Sequence, residues 1–287
     1  MKIIVAEHAG FCFGVERAVG IVENAANKKS NVITLGPIIH NPQLVNKLKE
    51  KGVLPLENID EVKDVHTVII RSHGITKDNY ELLKNQGVEI IDATCPFVIK
   101  AHNSAMKLSK EGYSVIVFGD KNHPEVKGIV SYVEGEYFLV SNSEEAKNLP
   151  FRKRYGLVAQ TTQNSQSFEE VIRIVQEKCD ELKVINTICN ATTHRQEAAK
   201  EVAKQVDMMI VIGGKNSGNT RRLFEICSEL CKNTVHIETK DELSEKMFEN
   251  IEKVGITAGA STPDYLIKDV INYLEEVKNE RERKENR

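Results

Sequence analysis

Short β-branched runs alternate with helix-length amphipathic segments along almost the whole chain, and this alternation narrows the possible folds more than any other feature. VITLG precedes PQLVNKLKEKG, YSVIVFGD precedes HPEVKGIVSYVE, MMIVIGG precedes TRRLFEICSELCKN, and VGITAGA precedes DYLIKDVINYLEE. Strand followed by helix, repeated in this way, predicts an α/β fold with mainly parallel sheets. Ligands of such sheets bind at the carboxyl ends of the strands. Nearly every apolar run ends there in a cluster of Gly, His, Cys, Ser or Asn: AEHAGFCFG, LGPIIHNP, RSHGIT, DATCPF, FGDKNHPE, AQTTQN, NTICNATT, GGKNSGNT and TAGASTPD.

The 287 residues suffice for two or three compact units. Basic and acidic residues are mixed and the formal net charge is only −3, so no global field recruits nucleic acid or a membrane surface, and an anionic ligand must be held locally. MKIIVAEHAGFCFG has only a short apolar run, and no stretch is long enough to cross a bilayer; a cytoplasmic location is expected. The tail after Leu274, EEVKNERERKENR, is charged throughout and reads as a solvated helix end or frayed terminus.

Six cysteines in a chain this long, without a secretory signal, suit metal binding or catalysis better than a disulfide framework. Cys227 and Cys231 are expected on one apolar helix face with Phe224 and Leu230, and Cys179 at the end of another helix; these read as ordinary core thiols. Cys12, Cys95 and Cys189 differ. They lie 83 residues (12 to 95) and 94 residues (95 to 189) apart, each at a strand-end turn, which predicts three similar α/β units that each give one thiolate to a shared centre. No CxxC pair is present, so a zinc ribbon or a ferredoxin-like run is disfavoured. Three thiolates can bind three irons of a cubane and leave the fourth open to substrate; a Cys₃His zinc site is the competing reading.

His40, His73 and His123 fall at strand ends beside Gly, Asn and Pro, where an imidazole can donate to a phosphate oxygen. GGKNSGNT and GASTP add Ser217, Asn219, Ser261 and Thr262, with glycines that let backbone N–H groups approach an anion before a helix. Taken singly, each turn reads equally well as an N-cap; their shared polarity favours an anion site. GGKNSGNT is not a Walker loop, because it lacks the Gly-Lys-Ser/Thr ending. Glu125, two residues after His123, is either a proton donor held protonated near an anion or a first-turn glutamate favoured by the helix dipole.

With these motifs in view the chain resembles the 4-hydroxy-3-methylbut-2-enyl diphosphate reductase family, the last step of the non-mevalonate isoprenoid pathway. The likeness is carried nearly end to end by GFCFGVERAV, GPIIHNPQLV, RSHGI, DATCPFV, HPEV, AQTTQ, NTICNATTHRQEA, GGKNSGNTRRL and TAGASTPD. The resemblance implies three α/β domains arranged as a trefoil around a central [4Fe–4S] cluster: 13–96, 97–192, and 1–12 plus 193–279, with 280–287 as a charged tail. It implies that Cys12, Cys95 and Cys189 ligate the cluster, and that His40, His73, His123, Ser217, Gly218, Asn219 and Ser261 surround an allylic diphosphate. Glu125 and Thr161 then serve proton transfer, and reduced ferredoxin or flavodoxin is the expected electron donor. The family pattern often has a second serine where Gly218 stands here, so one hydroxyl contact is lost and the backbone N–H kept. A non-redox hydro-lyase and a cluster- or zinc-binding sensor are the other readings of the same residues.

Overall fold

The computed structural model describes residues 1–29, 31–62 and 67–285. Twelve strands run through it: β1 Lys2–Val5, β2 Val32–Leu35, β3 Leu54–Leu56, β4 Thr67–Ile70, β5 Glu89–Asp92, β6 Ser114–Phe118, β7 Tyr137–Val140, β8 Arg152–Ala159, β9 Cys179–Val184, β10 Met208–Ile212, β11 Thr234–Ile237 and β12 Lys253–Ala258. The α-helices among them are α1 Phe13–Lys28, α2 Pro42–Glu50, α3 Lys77–Asn85, α4 Pro96–Lys110, α5 Pro124–Ser131, α6 Ser143–Lys147, α7 Ser165–Gln176, α8 Asn190–Ala203, α9 Gly218–Leu230 and α10 Asp264–Glu285.

The strands form three four-stranded sheets, ordered β3-β2-β4-β5, β7-β6-β8-β9 and β11-β10-β12-β1, and every pairing is parallel. In the first two sheets the chain enters at the second position, steps outward, crosses back to the third and finishes at the far edge; β10, β11 and β12 follow the same path in the third. In the third sheet that far edge is β1, so the start of the chain completes a layer whose other strands come from its end. The three parallel α/β layers expected from the alternation are therefore present, with one topology repeated three times.

The chain divides into two compact units. One comprises Met1–Cys12, His40–Leu44 and the chain from Asn190 onward, built on the β11-β10-β12-β1 sheet. On β10, Met208, Ile210 and Ile212 pack with Phe248, Ile256, Val270 and Leu274 on one face, while Met209 and Val211 pack with Ala199, Leu223 and Cys227 on the other. A strand covered on both sides has no polar face, which is why MMIVI reads as an unbroken apolar run. The other unit, Phe13–Ile39 and Val45–Cys189, holds the remaining two sheets. There β6 sends Ile116 and Phe118 to one core and Val115 and Val117 to the opposite one. Fully burying each such side chain contributes about 1.5 to 3 kcal/mol.

Two local expectations change. Cys179 does not end a helix: α7 stops at Gln176, and Cys179 opens β9 opposite Arg152, because pairing of CDELKV with β8 supplies a hydrogen-bond ladder that a longer helix would forgo. Leu230 faces outward, 42% exposed; the buried side of α9 is Leu223, Ile226 and Cys227, and Cys231 caps the helix in extended conformation. The charged tail continues α10 to Glu285, and its last two residues lie outside the described ones.

Candidate functional site

The repeated topology places the three singled-out cysteines at equivalent points. Cys12, Cys95 and Cys189 follow the edge strands β1, β5 and β9, and the next residue in each case opens a helix. Each donates its backbone N–H to the turn after the neighbouring strand: Cys12 to the Ala260 carbonyl at 3.2 Å, Cys95 to Ser72 at 2.9 Å, Cys189 to Thr161 at 2.9 Å. All three are half-buried thiols outside any disulfide at helix N-termini, where the local backbone dipoles favour negative charge. Cys227 and Cys231 are buried in the core, and burial pushes the Cys227 thiol up to about 12, which keeps it protonated and a poor ligand. Three thiols at edge-strand ends are a donor set that suits an iron–sulfur group.

The other candidates follow the two central strands of each sheet, where the direction of winding reverses. Such switch points open crevices at the carboxyl ends of parallel strands. His40 follows β2 and His73 follows β4; His123 and Glu125 follow β6 and Thr161 follows β8; Ser217, Gly218 and Asn219 follow β10 and Ser261 follows β12.

In the larger unit, His123 is the N-cap of α5, and its Nδ1 accepts the Glu125 backbone N–H at 3.1 Å. With Nδ1 accepting, the ring proton of the neutral tautomer sits on Nε2. The His73 and His123 rings meet edge to face with centroids 5.3 Å apart. Gly74 holds the turn beside them at φ +73°, and a Cβ there would stand 3.0 Å from the His102 ring on α4, so only glycine fits both the backbone and the space. Glu125 is 1% exposed. Its Oε1 accepts the Thr161 backbone N–H at 2.6 Å and its Oε2 accepts the Thr161 hydroxyl at 3.0 Å. Burial outweighs both bonds and raises the Glu125 carboxyl to about 7. A group so poised holds or gives up a proton near neutrality, and when protonated it can donate to the Thr161 hydroxyl in turn.

In the smaller unit, Ser217 caps α9 by accepting the Thr220 N–H at 3.3 Å. The Ser261 hydroxyl lies 3.5 Å from Ser217 Oγ and donates to the His40 carbonyl at 3.2 Å. The Asn219 side chain is 5% exposed, yet neither its Oδ1 nor its Nδ2 has a partner. An orphaned amide at the second position of a helix, beside N–H groups with no carbonyl in their own helix, is a ready anion receptor. Thr262 leaves the expected set: its hydroxyl donates to the Ile212 carbonyl at 2.9 Å and serves the backbone.

Two arginines escaped the sequence reading. Arg195, on α8 and 2% exposed, donates to the carbonyls of His8 and Gly10, each at 2.8 Å, and of Ala191 at 3.4 Å. Arg17, on α1, donates to the carbonyls of Thr94 at 3.2 Å and Asp92 at 3.4 Å. Both lie inside recognised motifs, GFCFGVERAV and NTICNATTHRQEA. A basic residue less than two helical turns beyond each of two cysteines was the available signal.

A family model described as LytB protein matches residues 3–275. The chain belongs to this family. The 4-hydroxy-3-methylbut-2-enyl diphosphate reductase of Aquifex aeolicus is 51% identical over 281 residues, 96% of this chain and 97% of that protein. The enzyme of the same name from Caldanaerobacter subterraneus subsp. tengcongensis is 49% identical over 286 residues, covering 98% and 99%. A solved structure of (E)-4-hydroxy-3-methyl-but-2-enyl diphosphate reductase, described as the terminal enzyme of the non-mevalonate pathway, is 50% identical with a TM-score of 0.72, covering 96% of this chain and all of that one. That of the E-1-hydroxy-2-methyl-but-2-enyl-4-diphosphate reductase from Plasmodium falciparum is 30% identical with a TM-score of 0.91, covering 95% and 87%. With this membership the LytB chain is an oxidoreductase.

Proposed function

We propose that this LytB protein reductively removes the hydroxyl group of 4-hydroxy-3-methylbut-2-enyl diphosphate, giving isopentenyl and dimethylallyl diphosphate. The observation that carries the reading is the Glu125–Thr161 pair, a fully buried carboxyl held near neutrality in the same turn as His123. The reaction takes up two electrons and two protons; one proton leaves with the hydroxyl as water, and the second ends on an allylic carbon.

Cys12, Cys95 and Cys189 would hold a [4Fe–4S] cluster, and their equivalent edge-strand positions support that assignment. Bound there, the cluster supplies electrons one at a time and a Lewis-acidic open position. The polypeptide does the rest. His40, His73, His123, Ser217, Asn219, Ser261 and the Gly218 N–H bind the diphosphate, whose charge is neutralised locally because the chain carries no net basic field. Glu125, relayed through the Thr161 hydroxyl, gives the proton that lets the hydroxyl depart as water. The buried setting of Glu125 keeps bulk water from short-circuiting that transfer.

Among the described residues no helix is long and apolar enough to cross a membrane. We place the enzyme in the cytoplasm, with a reduced ferredoxin or flavodoxin as donor. The test is anaerobic purification followed by iron, sulfide and zinc analysis, and turnover of the hydroxylated diphosphate with a reduced dye. A brown protein that forms both products only with reductant is expected. A colourless zinc protein, or product formed without reductant, would refute the reading.

A further inference from the structure

We propose that Arg195 and Arg17 are positioning residues forming a relay of latches, in which the helix begun after one cysteine grips the backbone of the loop carrying another. Helix α8 starts immediately after Cys189, and six residues beyond that cysteine Arg195 takes the carbonyls of His8 and Gly10 in the loop that delivers Cys12. Helix α1 starts immediately after Cys12, and five residues beyond it Arg17 takes the carbonyls of Asp92 and Thr94, just before Cys95.

A guanidinium suits this task because its fixed fork spans two carbonyls at once, and Arg195 itself is buried. The Cys12 loop contains backbone that needs such help: His8 has φ 60°, an unfavourable value for a residue with a side chain, and Gly10 turns at φ 97°. The Cys189 loop is fastened differently. On α4 the residues at the corresponding distances from Cys95 are Lys100, which is exposed, and Ala101, which is buried. The approach to Cys189 is instead tied within its own sheet, where the Thr187 hydroxyl accepts the Ala159 N–H at 2.9 Å and donates to the Ala159 carbonyl.

Two of the three cysteine loops therefore depend on an arginine from the segment that follows a different cysteine. The prediction is a crossed pattern that a general loss of stability would not produce. The proposal rests on the cysteines as cluster ligands only for its effect on iron retention; its effect on the loops stands apart from that reading.

The experiment is amide hydrogen exchange of the anaerobically purified protein, read by mass spectrometry on peptides covering residues 6–12 and 92–95, with iron loss to a chelator followed on the same samples. Arg195→Gln is expected to speed exchange at 6–12 by about tenfold or more and leave 92–95 at the parental rate. Arg17→Gln should do the reverse, and both should release iron faster. Arg195→Lys should fall between, since an ammonium cannot span both carbonyls, and it serves where the glutamine variant fails to fold. Equal acceleration of both peptides, or unchanged exchange at 6–12 in the Arg195 variants, would overturn the proposal. Crossed exchange without any bound iron would keep the latches and refute the cluster assignment.

Discussion

Helices α5 and α9 occupy the same place in their sheets, each following the first central strand, and their opening residues correspond one to one: His123, Pro124, Glu125 against Ser217, Gly218, Asn219. In α5 the N-cap imidazole takes the Glu125 N–H, Pro124 has no N–H to offer, and both carboxyl oxygens are used by Thr161. Beyond the His123 ring, that helix start offers an anion no side-chain donor, and its carboxyl can hold a proton. In α9 the N-cap is a hydroxyl, Gly218 keeps its N–H, and the Asn219 amide is buried without partners. That start is open to an anion. Exchanging imidazole for hydroxyl, proline for glycine and carboxyl for amide thus gives the same architecture two chemically different openings.

The contrast breaks most sharply at Glu125. Glu125→Gln keeps the shape of the side chain and removes the transferable proton, so single turnover at saturating substrate should fall by about 10² to 10⁴ with iron content and binding retained. Near-parental turnover would reduce α5 to an ordinary capped helix.

The same substitution tests the stored proton without any substrate. Because the folded carboxyl sits near 7 and an unfolded one near 4.5, the folded state binds the extra proton between those values. Stability is therefore highest below pH 4.5 for this group and is lost as pH rises through 7, by up to about 3 kcal/mol. Glu125→Gln should flatten that loss, and denaturant titrations of both proteins at pH 5 and 8 check it; parallel curves would mean the carboxyl is ionised throughout.

At α9 the expectation concerns binding. Asn219→Ala should weaken the diphosphate by about 10- to 100-fold, the loss of charge-assisted hydrogen bonds, while leaving the ligand-free protein's stability nearly unchanged because that amide has no partner to lose. Calorimetric titration and thermal melts on one preparation separate the two. A lowered melting temperature with intact binding would make Asn219 a structural residue.

The smallest effect belongs to Gly218→Ser. An added hydroxyl at that open start should tighten the diphosphate by no more than about tenfold, the worth of one modest hydrogen bond. Weaker binding would mean that the close backbone approach, not the missing hydroxyl, governs this position.

Much of this was legible in the chain itself. Strand and helix periodicity follows from which faces are buried, so VITLG, YSVIVFGD and MMIVIGG announced their strands, and glycine and N-cap chemistry marked the turns where His40, His73, His123, Ser217 and Ser261 stand. Cys12, Cys95 and Cys189 stood apart because they interrupt strand ends, where a core thiol has no reason to be. Their near-even spacing pointed to three similar units, and sheet order puts all three after far-edge strands and lets β1 complete a layer built from residues two hundred positions away.

Periodicity records only whether a side chain is buried, and burial has several outcomes that tertiary contacts alone distinguish. Cys179 reads in sequence as the end of a helix, but β8 offers it a ladder and it opens a strand instead. Arg195 drew no reading from the sequence, and it is buried because three distant or local carbonyls replace water around its charge. Glu125 was evenly balanced between cap and acid. What favours the acid is a low-dielectric enclosure and a threonine 36 residues away, whose two bonds satisfy the carboxylate without repaying the loss of water.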